Sequence, residues 1–134
     1  MSLAENEFEF RVRYQETDAQ GHVHHANYLT YFETGRTEQL RAIGLNYRDL
    51  EEQGLFLVVV EANCRYYAGA KYDDLLRIVT TTTRIKSATI EHHYGIYRDQ
   101  ELLVEGTTRL GCVTREGKVT RLPGWITGEE SLED

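Results

Sequence analysis

The stretch that decides the fold is residues 14–33, which reads YQETDAQGHVHHANYLTYFE. It begins where a predicted strand ends, passes through a polar turn and enters the longest helical pattern of the chain. Asp18 lies in the turn, and His22, His24 and His25 follow it just before the helix. A carboxylate placed there lies near the free N–H groups of a helix N terminus, which favour negative charge.

Hydrophobic periodicity predicts a strand before this turn and a helix after it. Residues 7–14 alternate strictly between apolar and charged or polar side chains, which is typical of a half-buried strand. Residues 27–43 carry apolar side chains at helical spacing, with Asn27 as the predicted N-cap and Gly44 as the predicted stop. Gly35, in mid-helix, indicates that a strand approaches closely at that point.

The remainder of the chain predicts a short helix followed by strands. The helix covers residues 47–53, and strands are predicted at 55–67, 75–86, 89–97, 102–114 and, as a last short strand, 118–122. One long helix beside about five strands predicts an α+β domain whose helix covers one face of an antiparallel sheet. We expect a single domain over residues 1–134, with flexible ends at residues 1–6 and 127–134.

Composition excludes several classes of function. The net charge of −7 argues against nucleic-acid binding, which depends on Lys and Arg to neutralise phosphates. No apolar run approaches the roughly 18 residues of a membrane span, and residues 1–13 lack the apolar region of a signal peptide. Cys64 and Cys112 lie in apolar strand patterns, so we expect two buried thiols of a cytoplasmic protein rather than a disulfide or a metal pair.

The motif around Asp18 resembles that of a known enzyme family. Its matching positions are Tyr-x-x-Thr-Asp-Ala-x-Gly-x-Val-x-His-Ala-Asn-Tyr-Leu-x-Tyr-Phe-Glu, with Arg36-Thr37-Glu38 behind it and the segment AKYDDLL at residues 70–76. This pattern resembles the hot-dog-fold acyl-CoA thioesterases of the 4-hydroxybenzoyl-CoA thioesterase type, especially the YbgC/FadM-like branch. The resemblance spans residues 7–122 and implies a five- to six-stranded antiparallel sheet wrapped around one long central helix.

The resemblance also implies an activity and an assembly. It implies a cytoplasmic acyl-CoA thioesterase that needs no cofactor, with active sites between the subunits of a homodimer that pairs into a homotetramer. The catalytic Asp of the family matches Asp18, and its oxyanion hole, a backbone N–H at the helix start, matches His25. Two positions depart from the motif. His22 follows Gly21 where an aliphatic residue is usual, and His24 stands where an aromatic residue is usual.

Asp18 has two chemical routes to a thioester. Its carboxylate can attack the carbonyl carbon to give a mixed anhydride, or it can take a proton from an attacking water. By residue chemistry alone Asp18 would be a turn former, so the catalytic role depends on the resemblance. His25 would act through its N–H, which can stabilise a developing oxyanion with help from the helix dipole. We therefore expect His25→Ala to reduce activity less than Asp18→Ala.

The other histidines are weaker candidates. His22, His24 and His25 beside Asp18 could form a divalent metal site, but no more distant ligand accompanies them, and we predict no metal. They are expected to line the mouth of the cleft or to face water. The neighbours His92 and His93 must point to opposite faces of a strand, one exposed and one packed in the sheet.

Lys86 and Arg84 are the predicted coenzyme A ligands. Similar family members hold the coenzyme A phosphates with basic side chains at the end of this strand, which makes Lys86 the first candidate and Arg84 the second. A solvated strand end explains the same cations equally well. Tyr28 is one of nine tyrosines, and it is expected in an acyl pocket or a subunit interface.

Two rival functions stay open. A hot-dog hydratase or dehydratase acting on acyl-CoA would pair an Asp with a His, as Asp18 and His22 could, although the hydratase-like Gly-Asp-x-Asn-Pro pattern is absent here. A non-catalytic acyl-thioester binding module would use the same pocket without turnover. Release of free thiol from acyl-CoA separates the three, because a hydratase releases none and a binding module retains its ligand intact.

Overall fold

The chain folds as one strand, a long helix and then four consecutive strands, and a computed structural model describes this for residues 5–127. The elements are β1 (Glu5–Arg11), a 3-10 turn (Tyr14–Glu16), α1 (Asn27–Ala42), α2 (Tyr47–Glu52), β2 (Leu55–Tyr66), β3 (Leu75–Ile85), β4 (Thr89–Arg98), β5 (Glu101–Thr114) and α3 (Gly124–Thr127). The predicted α+β class is confirmed. Of the ends expected to be flexible, residues 5–6 belong to β1 and Thr127 closes α3, while residues 1–4 and 128–134 lie outside the described chain.

The five strands form a single antiparallel sheet in the order β1-β3-β4-β5-β2. Strands β1 and β2 are therefore its two edges. The pairing shifts register between Val59 and Glu61 in β2 and between Thr82 and Arg84 in β3. Bulges of this kind bend a strand and increase its twist, which helps the sheet curl around a helix.

Helix α1 lies against one face of the sheet and packs closely on β3. A Cβ on Gly35 would overlap Thr80 Oγ1 and would lie 2.8 Å from Ile78 Cδ1. The close approach predicted for Gly35 is thus confirmed, and the strand concerned is β3. One turn earlier, the fully buried ring of Phe32 stacks on Tyr94 of β4 with 4.3 Å between ring centroids.

The ends of β1 and the strand predicted at residues 118–122 need correction. Strand β1 ends at Arg11, and Tyr14 begins the 3-10 turn with 77% of its side chain exposed, so it does not share the inward face of Phe8. Residues 118–122 form no strand, since Val119 makes only an isolated bridge to Val113. The sheet within the described residues therefore has five strands.

The predicted N-cap and one cysteine also need correction. Ala26 occupies the N-cap without a side-chain hydrogen bond, and Asn27 is the first helical residue, with its side chain turned back to the carbonyl of Glu16. Cys112 is buried as predicted, but Cys64 is only half-buried, because its strand is an edge. Both thiols are free. No helix between residues 5 and 127 is long and apolar enough to cross a membrane.

Candidate active site

A small hairpin between β1 and α1 presents Asp18. The Asp18 N–H donates to the His22 carbonyl at 2.7 Å, and Thr17 and Val23 form a β-bridge. Gly21 turns the tip of this hairpin with φ of +82°, a conformation that glycine adopts without strain. The turn around Asp18 is therefore set by backbone bonds on both of its sides.

The hairpin is anchored to the loop that precedes β3. Val23 N–H donates to the Ala70 carbonyl at 2.9 Å, and His22 forms a bridge with Lys71. The His22 ring lies over Gly69, where an added Cβ would come within 2.9 Å of the ring. The histidine at position 22, which departs from the motif, thus packs its ring against the backbone of Gly69, where a side chain larger than glycine would clash with it.

The Asp18 carboxylate is exposed, and one of its oxygens is held by the backbone. Oδ1 accepts the N–H of Gln20 at 2.9 Å and the N–H of His22 at 3.2 Å. The Gln20 N–H is the main cause that holds the pKa of Asp18 below its ordinary value, and it outweighs partial desolvation. None of the hydrogen bonds between residues 5 and 127 uses Oδ2. Asp18 is therefore ionised, fixed in orientation and free to react through Oδ2.

The start of α1 around His25, which we call the helix mouth, leaves one backbone N–H open. Among residues 5–127, no acceptor binds the His25 N–H, while the His25 carbonyl accepts the Tyr66 hydroxyl at 3.1 Å and the Tyr28 N–H at 3.4 Å. Helix α1, which follows, is 16 residues long and has no side-chain cap. A free N–H at the start of such a helix is a donor for a developing oxyanion.

The rings of His24 and His25 are exposed and stack on each other with 4.3 Å between centroids. His24 Nδ1 accepts the Ala26 N–H at 3.2 Å, and the His25 ring packs edge-on against Tyr66. Within residues 5–127, no group of three His, Cys, Asp or Glu side chains is arranged to hold a metal ion. The rings therefore pack beside the helix entry and leave the His25 N–H uncovered.

A groove runs along α1 on the side of β2. Its first part, of about 310 Å³, is lined by Leu29, Thr30, Glu33, Arg36, Val59, Ala62 and Thr108. Its second part, of about 300 Å³, extends to α2 and is lined by Glu33, Arg36, Thr37, Tyr47, Leu50, Glu51, Leu57 and Leu110. The two parts lie next to each other, because Glu33 and Arg36 line both. The groove begins at Leu29, in the first turn of α1, and Asp18 lines neither part.

The predicted coenzyme A ligands lie at the other end of the sheet. Arg11 at the end of β1 pairs with Leu75 at the start of β3, so the Asp18 hairpin lies at that end. Arg84 is at the far end of β3, about 30 Å away at strand spacing. Arg84 and Lys86 are both exposed. A single chain does not bring these cations to Asp18.

Tyr28 lies beneath the helix mouth rather than on an open surface. It is 2% exposed, its hydroxyl accepts the Ala70 N–H at 3.2 Å, and its ring packs against Tyr31 and Tyr66. The paired histidines point to opposite faces as predicted, but His93 is half-buried rather than exposed, with its Nε2 3.0 Å from Glu105 Oε2. Burial lowers the pKa of His92 to about 3, whereas His93 lies on the opposite face.

Glu16 is a structural residue of the site that the sequence did not single out. It is 9% exposed, and its side chain bonds to Arg13 and Tyr31. The only signal for it is its position three residues after Arg13, which is the spacing of a capping box. The partner on α1 lies fifteen positions away and leaves no local pattern.

Comparison with known proteins decides the family. Residues 12–129 match the model of the thioesterase-like superfamily. The chain belongs to this superfamily. The thioesterase is 40% identical over 114 residues to the acyl-CoA thioesterase YbgC of Haemophilus influenzae. The alignment covers 83% of this chain and 84% of the relative. It is 35% identical over 104 residues to the acyl-CoA thioester hydrolase YbgC of Escherichia coli, and this alignment covers 77% of this chain and 78% of the relative.

A solved structure agrees with these relatives. The DHNA-CoA thioesterase of Staphylococcus aureus matches the thioesterase with a TM-score of 0.88 and 27% identity, over 96% of this chain and 91% of that one. The predictions of a hot-dog fold and of a thioester hydrolase are therefore confirmed.

Proposed function

We propose that this thioesterase hydrolyses an acyl-CoA to the free acid and coenzyme A, with Asp18 as nucleophile or general base and the His25 N–H as oxyanion hole. One observation carries the proposal. A carboxylate with one oxygen fixed and one free lies in the hairpin that leads directly into a helix N terminus with an open amide. These are the two groups that thioester hydrolysis needs, one for the carbonyl carbon and one for its oxygen.

Each route for Asp18 balances with water as the only co-reactant. As nucleophile, Oδ2 forms a bond to the acyl carbon, the carbon–sulfur bond breaks, and water then hydrolyses the anhydride. As general base, Oδ2 accepts a proton from water while the water oxygen attacks, the carbon–sulfur bond breaks, and the leaving thiolate takes up that proton. In both routes the His25 N–H donates to the carbonyl oxygen as negative charge develops on it. Neither route calls for a cofactor.

The groove along α1 supports an acyl site beside the helix mouth. Leu29, Val59 and Ala62 give its first part an apolar wall, and Glu33 and Arg36 lie further along the helix. From His25 to Arg36 the helix rises about 16 Å, which is room for an extended or a ring-bearing acyl group. The names of the YbgC relatives support coenzyme A as the thiol part of the substrate. The cytoplasmic location remains a prediction.

The edge strand β2 supports a homodimer. Val58, Val59 and Val60 are 41%, 51% and 54% exposed on a strand whose outer edge has no neighbour within residues 5–127. Long apolar edges are usually covered, and pairing of two β2 strands would cover this one and flank the groove. Because Lys86 and Arg84 lie far from Asp18 in their own chain, they would serve the site of another subunit. The further pairing into a homotetramer remains a prediction.

Thiol release across a panel of acyl-CoAs tests the function. We expect free coenzyme A from at least one short, long or aromatic acyl-CoA, and loss of that activity in Asp18→Asn. Hydration or dehydration without free thiol would indicate the rival hydratase, and ligand recovered intact would indicate a binding module. Light scattering tests the assembly, because Val60→Lys should yield a monomer if β2 forms the interface.

A further inference from the structure

Glu16 is a buried carboxylate whose two oxygens are both occupied. Oε1 accepts the Arg13 N–H at 2.8 Å and the Tyr31 hydroxyl at 2.8 Å. Oε2 accepts from the Arg13 guanidinium at 3.2 Å. Only 9% of the residue is exposed. Glu16 therefore has no oxygen left for a substrate, and its contribution must come through the groups that it holds.

The backbone of Glu16 holds the same region from a second side. Its carbonyl accepts the His24 N–H at 2.9 Å and the Asn27 side-chain amide at 2.9 Å. Asn27 is the first residue of α1, and Tyr31 lies one turn further along. One residue thus binds α1 at its N terminus and again at the next turn. We call Glu16, Asn27, Tyr31 and their bonds the Glu16 cluster.

The Glu16 cluster closes the loop that contains both reacting groups. Asp18 follows Glu16 by two positions, and His25 follows His24 directly. The bond between the Glu16 carbonyl and the His24 N–H therefore restrains the separation between Asp18 and the amide of His25. Core packing holds Val23 of this loop, but Asp18, His24 and His25 are exposed, so hydrogen bonds must orient them.

Stability alone is a poor reason to bury a carboxylate at this place. Removing a charged group from water costs free energy, and well-packed apolar residues of similar volume often stabilise a core as well or better. Burial, reinforced by the Glu16 carboxylate, raises the pKa of the Tyr31 phenol, so its hydroxyl remains protonated and donates. The arrangement is directional and lies at the site, which points to a role in orientation.

We propose that the Glu16 cluster positions the His25 N–H relative to the Asp18 carboxylate, with Glu16, Tyr31 and Asn27 as positioning residues of the thioesterase. This inference rests on the proposed function. The cluster does not touch the acyl-CoA, so it acts on the alignment of the transition state and leaves substrate binding unchanged. Loss of alignment lowers kcat, and KM stays the same because the groups that bind acyl-CoA are intact.

Tyr31→Phe isolates the phenol bond. The change removes only the hydroxyl and keeps the ring against Phe10, at 4.6 Å between centroids, and against Tyr28. We expect kcat to fall about tenfold with KM unchanged, because a small misplacement of the oxyanion donor weakens its bond in the transition state. Asn27→Ala cuts the bond to the Glu16 carbonyl and should act in the same direction. Asn27→Ala also tests the proposal by itself if Tyr31→Phe does not fold.

Thr82→Val is the matched control. It also removes one hydroxyl bonded to α1, because Thr82 Oγ1 accepts the Gln39 side-chain amide at 3.0 Å near the other end of the helix. Its thermal midpoint should fall, as that of Tyr31→Phe should, while its kcat stays at the wild-type value. Glu16→Gln keeps an oxygen that can accept from Tyr31 and Arg13, so it should retain most of the kcat that Glu16→Ala loses.

Three results would overturn the proposal. Wild-type kcat in both Tyr31→Phe and Asn27→Ala would show that the bonds do not align the site. An equal fall in kcat in Thr82→Val would assign the loss to stability. Full activity of Asp18→Asn, measured in the same assay, would remove the proposed function and the cluster's role with it. In the first of these cases, an inactive Asp18→Asn would keep the proposed function and remove only the role of the cluster.

Discussion

The mouth and the middle of α1 are built in opposite ways. At the mouth, Asp18 and His25 are exposed and are held by hydrogen bonds to backbone groups, which leave one carboxylate oxygen and one amide free. In the middle, Phe32 and Gly35 are buried against β3 and β4, with no space left between helix and sheet. Changes at the mouth should therefore alter turnover with little effect on stability, and changes in the middle should do the reverse.

The largest effect is expected for Asp18→Asn at the mouth. The amide keeps an oxygen for the N–H groups of Gln20 and His22, so the hairpin should persist, but it can neither attack nor accept a proton. We expect kcat to fall by about three orders of magnitude while the thermal midpoint changes little. Thiol release and thermal denaturation measure the two quantities.

Asp99→Asn is the control for this variant. It makes the same change in another exposed turn, between β4 and β5, and should leave kcat unchanged. Near-normal turnover of Asp18→Asn would contradict the expectation that the mouth controls turnover. Unfolding of this variant would contradict the expectation that changes at the mouth leave stability unaffected.

Acid titration of activity is the next test, and its direction follows from the bonds to Asp18. The N–H of Gln20, followed by that of His22, holds the pKa of Asp18 below its ordinary value of 3.8. The carboxylate is thus ionised at every pH above that value, and kcat/KM should decline only as pH falls through the lowered pKa. Below it, loss of the ionised form lowers the rate about tenfold per pH unit.

The sign for stability is the same. The unfolded chain binds this proton more readily than the folded one, so the contribution of Asp18 is present above its ordinary pKa and is lost as pH falls through the lowered one. The residual activity of Asp18→Asn should lack the acid limb. An acid limb near neutral pH in the wild type would assign the rate to a different group, such as a histidine.

Gly35→Ala should show a smaller effect, confined to stability. Alanine favours a helix interior by about 1 kcal/mol, yet the new methyl would overlap Thr80 Oγ1 and crowd Ile78. We expect a net loss of about 1–3 kcal/mol in the free energy of unfolding, with kcat of the folded protein unchanged. Urea denaturation gives the first quantity and thiol release the second.

The double variant Gly35→Ala/Thr80→Ala tests the cause. Thr80 Oγ1 is buried and makes no hydrogen bond within the described part of the chain, so its removal should cost little and should make room for the new methyl. We expect the double variant to recover part of the lost stability. Equal stability of wild type and Gly35→Ala would mean that β3 can move away from the helix.

The two regions also differ in how far the sequence predicts them. The middle follows from periodicity, because burial repeats along a helix or strand, and most element ends between α1 and β5 fall within one residue of their predicted positions. Gly35 was identified as a close contact because a glycine in mid-helix is unfavourable without one. Repeated burial also predicts which faces of the strands point inward.

The mouth could be predicted only in part. Asp18 and His25 came from the resemblance of an ordered motif, and residue chemistry alone gave a turn former. Glu16 was missed because its partner Tyr31 lies on α1, and periodicity does not predict where that helix packs against the turn. The distance between Asp18 and Lys86 depends on which strands are neighbours in the sheet, and a one-dimensional pattern does not contain that information.

The smallest effect is expected for His25→Ala, and it gives the sharpest test of the mouth. The imidazole is exposed and stacks on His24 and Tyr66, whereas the proposed donor is the backbone N–H, which alanine keeps. We expect only a slight fall in kcat for His25→Ala.

His25→Pro removes the ring and also the N–H, and should lower kcat by about a hundredfold or more if that amide is the oxyanion donor. Circular dichroism should first establish that α1 is intact in both variants, since proline is tolerated just before a helix. Equal rates in the two variants would exclude the amide, and a large loss in His25→Ala would transfer the role to the ring. In either case the open N–H at the mouth of α1 would be a structural feature without a catalytic function, and the effect of the mouth on turnover would have to come from side chains alone.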